Sequence, residues 1–213
     1  MADHRETLAS ALRDQIIQGV YAPGQKLSEQ TLARDLDTSR NTLREAFRVL
    51  SEQGLVDHVP NRGVSVAAPA TADVVDIYRA RRTIEGGVLA GASPLHPGVD
   101  RMREAVERAR SAADESDWAV VGTANMAFHA AIVLLADSAR LQKVHGQLLA
   151  ELRLAFLALG DAHGLHAPFL SRNARILELM VGDGPKAAAD ELERYLIDSE
   201  RAVLGAYARL GRD

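Results

Sequence analysis

Leu27-Ser28-Glu29-Gln30-Thr31-Leu32-Ala33-Arg34-Asp35-Leu36-Asp37-Thr38-Ser39-Arg40-Asn41-Thr42-Leu43-Arg44-Glu45-Ala46-Phe47-Arg48-Val49-Leu50 is the stretch that decides the fold. Ser28 is placed to cap one helix and Ser39 a second, with Leu27 and Leu32 spaced as the hydrophobic staple of the first. In the second helix Leu43, Phe47 and Leu50 fall on one face, and Arg40, Arg44 and Arg48 on another. One face packs and the other is left for a partner. Gly54 stops that helix, Val56–Val59 and Val64–Ala67 read as short strands, and Asn61-Arg62-Gly63 has the composition of a hairpin turn. Upstream, Leu8, Leu12, Ile16 and Ile17 repeat with a helical period that ends at Gly19, before the turn Pro23-Gly24. Three helices followed by a hairpin make a winged helix-turn-helix, which enters the DNA major groove with the opening turns of its second motif helix.

On this reading Ser39, Arg40, Asn41, Thr42 and Arg44 face DNA, and Arg34 together with Asn61, Arg62 and Gly63 of the hairpin tip are further candidate contacts. Arginine can grip guanine O6 and N7 with two hydrogen bonds, while Asn and Thr reach bases or phosphates. Arg62 at a wing tip suits the minor groove or a phosphate. The formal net charge of −4 opposes a strongly basic nucleic-acid binder, so the cationic surface is local and non-specific DNA affinity should be modest.

The 213 residues, 47% hydrophobic, allow one large domain or two ordinary ones. There is no cysteine, hence no disulfide and no thiolate metal site. No apolar run approaches the roughly 20 residues needed to span a bilayer, and the opening Met1-Ala2-Asp3-His4-Arg5-Glu6 lacks a signal-peptide core, so a cytoplasmic protein with no membrane partner is expected. Ala67-Ala68-Pro69-Ala70-Thr71 reads as a linker, which divides the chain into residues 1–69 and 70–213. No strand signal follows it. The fold class expected is mainly α, with the winged helix-turn-helix followed by an all-α bundle of about six helices. These run from Thr71 to about Ala92, Pro97 to about Ala113, Asp117 to Ala136, Ser138 to Leu159, Leu165 to Val181 and Pro185 to Leu210.

With these motifs in view, the sequence resembles the GntR superfamily of bacterial transcription regulators. The carriers are Ile17-Gln18-Gly19-Val20-Tyr21-Ala22-Pro23-Gly24, Leu27-Ser28-Glu29, Leu32-Ala33, Ser39 to Ala46 and Gly54-Leu55-Val56. Asp37 stands where that family usually has Gly, and Asp tolerates the left-handed turn conformation better than most residues. The second half is similar to the FadR subfamily, whose effector domain is the helical bundle called FCD, through Ile77 to Glu85, Asn125-Met126-Ala127-Phe128-His129 and the last helix pair. The resemblance implies a homodimer on a palindromic double-stranded DNA operator, modulated by a small polar or carboxylated metabolite.

Within the bundle, Arg81 shares a helical face with Val74, Ile77, Ile84 and Val88, so its charge is expected to be buried and to require an anion. Glu85, one turn on, is one partner; a ligand carboxylate or phosphate is the other, and both can hold in different ligation states. Asn125 and His129 project together in line with Ile132. In much of the family this pair is Asp and His, and it binds a divalent metal with one His from each of the last two helices. The matching residues here are Asn125, His129, Asn173 and Tyr195, of which His129 alone keeps the ligand type. One imidazole, two amides and a phenol make a poor zinc site, so no metal and no cofactor is expected. Arg81, Asn125, His129, Asn173 and Tyr195 are instead expected to converge on a polar cavity that takes the effector. His163 and His166 read as loop residues rather than ligands, and Trp118 as core or dimer interface.

An enzyme is not expected: there is no nucleophile elbow, His-Glu-x-x-His, phosphate-binding Gly loop or paired carboxylate on an apolar face. The rival readings are a metal-dependent regulator of the same family and a DNA-binding protein that senses nothing.

Overall fold

The computed structural model describes residues 2–59 and 63–211, and the chain divides into two compact units. The first gathers the segment up to Pro69 with Ala150–Ala158; the second holds Ala70–Leu149 and the segment from Leu159 onward.

In the first unit, α1 (Ala2–Ile17), α2 (Glu29–Asp35) and α3 (Arg40–Glu52) precede the strands β2 (Val56–Val59) and β3 (Gly63–Val66). Ser28 and Ser39 cap α2 and α3, their side chains accepting from Thr31 N at 3.3 Å and Thr42 N at 3.1 Å. Asp37, in the turn between them, has φ +48°, the left-handed conformation that its short polar side chain tolerates. Gly54 follows α3 with φ +70°, a left-handed conformation that favours glycine. The hairpin pairs Val56 with Val66 and Val59 with Gly63. A third strand, β1 (Lys26–Leu27), joins β3 antiparallel, giving the order β1-β3-β2 where the sequence suggested a hairpin alone. Two residues are too short to show an alternating pattern. The core joins Leu12, Ile16, Leu43, Phe47, Leu50, Leu55 and Val66 with Ala150 and Leu154.

The second unit comprises α4 (Thr71–Gly91), α5 (Gly98–Asp114), α6 (Trp118–Leu134), the first half of α7 (Ala139–Leu159), α8 (Ala162–His166), α9 (Leu170–Gly182) and α10 (Pro185–Arg209). Asp117 caps α6 through Val120 N, Ser138 starts α7 through Leu141 N, and α10 begins at Pro185 after Gly184. The helix expected over Leu165–Val181 is broken: α8 ends at His166, a 3₁₀ turn covers Ala167–Phe169, and α9 starts at Leu170. Pro168 has no N–H to continue the ladder, and its ring clashes with the carbonyl one turn back. Within the bundle α5 packs on α6, and α10 on α4 and α9, which turns the inner faces of α4, α6, α9 and α10 toward one polar-lined interior.

Candidate nucleic-acid interface and buried polar network

Helix α3 buries Leu43, Ala46, Phe47 and Leu50 and leaves Arg40, Asn41, Arg44 and Arg48 exposed. Ser39 Oγ accepts the Thr42 amide and lies 2.8 Å from Thr42 Oγ1, so both hydroxyls are used in shaping the first turn. Arg44 Nε donates to Glu29 Oε2 at 2.8 Å, which holds the guanidinium beside the start of α2. Arg34 is paired with its neighbour Asp35 and sits on the exposed face of α2. Gly63 opens β3 with φ +88°, while Asn61 and Arg62 lie outside the described residues.

In the bundle the structure places Arg81, Asn125, His129, Asn173 and Tyr195 in two adjoining clusters, the first with Glu85 as its hub. This carboxylate is fully buried and receives three donors: Arg81 Nε at 2.7 Å and His145 Nε2 at 2.9 Å on Oε1, and His129 Nδ1 at 2.7 Å on Oε2. Burial alone would raise the Glu85 pKa, but the Arg81 charge and the hydrogen bonds from the two histidines outweigh it and hold the carboxyl well below the ordinary range. Burial pushes His129 down despite the opposing pull of Glu85, which favours the neutral imidazole. Arg81 also lies over the Tyr78 ring, 5.2 Å from its centre, and the Tyr78 hydroxyl shares a 2.7 Å hydrogen bond with Ser199.

The second cluster centres on Asn125 Oδ1, which accepts Asn173 Nδ2 at 2.7 Å and the Tyr195 hydroxyl at 2.8 Å. The Tyr195 ring stands 5.0 Å from that of His129, centre to centre, and so joins the two clusters. Three deeply buried polar atoms in this network have no protein partner: Arg81 Nη2, His129 Nε2 and Asn173 Oδ1. Sequence reasoning had Glu85 only as the partner of Arg81. It missed His145, Tyr78 and Ser199, whose spacing along their own helices carries no sign that they meet.

A divalent metal does not fit the four residues at the positions the family resemblance points to. Asn125 Oδ1 is already committed to two donors, and burial pushes the Tyr195 phenol far up, so no phenolate is on offer. That leaves one imidazole and the Asn173 carbonyl, too few for zinc.

Residues 4–66 match the description "Bacterial regulatory proteins, gntR family", and residues 76–198 match the FCD domain. The chain belongs to the GntR family. Its two-domain architecture is that of the FadR-like GntR subfamily, a mainly α protein and a DNA-binding transcription regulator rather than an enzyme. Among its GntR relatives, a protein of Paenarthrobacter nicotinovorans named for transcriptional repression of a D-xylose utilization operon is 31% identical over 178 residues, 78% of each chain. The galactonate operon transcriptional repressor of Escherichia coli K12 is 27% identical over 74% of each. A GntR transcriptional regulator from Rhodococcus sp. RHA1, of known crystal structure, is 39% identical with a TM-score of 0.91, covering 96% of this chain and 99% of that one. Among the described residues no helix is long and apolar enough to cross a membrane.

Proposed function

We propose that the protein is a metabolite-responsive repressor that binds a palindromic operator as a homodimer, with a small polar molecule held in the α4–α6–α9–α10 interior modulating that binding. Ser39, Arg40, Asn41, Thr42 and Arg44 form the DNA-reading turns of α3, supported by Arg34 and by the wing residues Asn61, Arg62 and Gly63. The observation that carries this reading is the exposed Arg40-Asn41 pair at a capped helix start whose opposite face is core. A helix anchored in this way offers its N-terminal side chains to the groove without loss of packing. Supporting the sensor role, Arg81, His129 and Asn173 leave polar atoms unpartnered inside the bundle, which a scaffold with no ligand has little reason to retain. The names of two relatives attach them to sugar and sugar-acid operons, which suits a hydroxylated metabolite.

The test is operator binding. A site selected in vitro from random duplexes is titrated by fluorescence anisotropy with the full chain, Arg40→Ala and Arg44→Ala, at several salt concentrations. Each substitution is expected to weaken binding by about 1–3 kcal/mol without changing the dimer mass. A phosphate-contacting arginine also lowers the slope of log affinity on log salt by about 1. Unaltered affinity in both variants would remove α3 as the reading helix.

A further inference from the structure

The unfilled hydrogen-bond positions in the bundle have a definite polarity. Glu85 is ionised and can only accept, so the nitrogen that His129 turns toward it, Nδ1, carries the hydrogen. In the neutral ring that burial favours, Nε2 is then a bare lone pair. Asn173 donates from Nδ2 to Asn125, and its free Oδ1 is also an acceptor. The third open position, Arg81 Nη2, is a donor. The network thus presents two acceptors and one donor. The charge of the one guanidinium is already matched by the Glu85 carboxylate at 2.7 Å.

A carboxylate ligand answers this pattern badly. Its oxygens would satisfy Arg81 Nη2 but face the lone pairs of His129 Nε2 and Asn173 Oδ1. It would also bring an unmatched charge among side chains that are buried and already balanced. A hydroxyl group both accepts and donates. Hydroxyl groups can accept from Arg81 Nη2 and donate to His129 Nε2 and to Asn173 Oδ1. Aromatic rings pack beside His129: Tyr195 lies between His129 and Phe169, with ring centres 5.0 and 5.1 Å apart, and Phe128 stands edge-on to His129 at 5.6 Å. Such faces suit the C–H side of a sugar carbon chain.

We infer that the bundle site selects a neutral polyhydroxylated molecule, a free sugar, alditol or sugar lactone, over the corresponding sugar acid. The inference rests on the proposed effector role of the same interior and adds the charge class of its ligand.

The experiment is titration calorimetry of the full chain with matched pairs, D-xylose and xylitol against D-xylonate, and D-galactose and galactitol against D-galactonate. Each runs in two buffers of different ionisation enthalpy. The expected result is binding by a neutral member with heat that does not depend on the buffer, and about tenfold or weaker binding by its acid. Asn173→Leu, checked for folding by urea midpoint, should weaken the neutral ligand about tenfold, the effect of one lost buried hydrogen bond, while Ser199→Ala should not. Binding by the acid alone, with buffer-dependent heat as His129 takes up a proton, overturns the neutral class and leaves the sensor reading standing if Asn173→Leu abolishes it. Absence of binding by every neutral member means that water alone fills the trio, and the polyol assignment falls. Binding that Asn173→Leu leaves intact overturns both, because the ligand then sits elsewhere.

Discussion

Glu85 makes the second unit depend on a single carboxylate. Its two oxygens take three donors, so replacing it leaves a guanidinium and two imidazoles buried without their acceptor. Breaking a buried ion pair from one side typically costs about 3–5 kcal/mol, because the surviving charge stays desolvated. Glu85→Leu is therefore expected to lower the urea unfolding midpoint of the full chain by an amount of that order. Arg81→Met should also destabilise, since it strips the charge that keeps Glu85 ionised. The double variant should be more stable than the sum of the two losses by about 1 kcal/mol or more, because no lone charge remains. Strict additivity in the cycle would mean that Arg81 and Glu85 do not act as a pair. The sequence placed Arg81 on an apolar face and named both Glu85 and a ligand as anions for it. The geometry gives Arg81 Nε to Glu85 and leaves Nη2 without a protein partner.

At the level of elements, α3 shows how a cap and a function share one turn. Ser39 accepts the Thr42 amide and thereby fixes the first turn, from which Arg40 and Asn41 project. Ser39→Ala should cost about 1 kcal/mol of stability, measurable in urea, and weaken operator binding beyond any direct contact by fraying that turn. A variant that loses neither would show the turn held by other means. Elements of this kind were legible because caps, glycines and apolar spacing act locally: the two Ser caps, the Asp37 turn and the starts of α6, α7 and α10 all follow from neighbours in the chain. The break at Pro168 was hidden because the apolar residues Leu165, Phe169, Ile176 and Met180 keep a helical rhythm across it, although Pro168 removes the backbone donor. His145 was hidden for the opposite reason. One histidine among ordinary helix residues has no pattern, and its meaning comes from Glu85, 60 positions away in the sequence.

For the molecule as a whole, the buried network sets how stability follows pH. His129 has its folded pKa below the ordinary 6.5, so on acidification the unfolded chain binds this proton first. Its contribution is fully present above about 6.5 and is lost as pH falls toward the folded value. Glu85 follows the same sign lower down: its folded pKa lies well below 4.5, and the stability it supplies above that value is lost on further acidification. Both groups push in one direction, with no compensating gain on the acid side. Unfolding free energy from urea titrations is thus expected to be flat from pH 8 to about 6.5 and then to fall. The slope should approach about 1.4 kcal/mol per pH unit for each proton taken up. His129→Phe, although less stable overall, should remove the first part of that fall and leave the part below pH 4.5. If the variant keeps the wild-type slope between pH 6.5 and 5, the proton goes to another group, and His129 is not held neutral in the folded bundle.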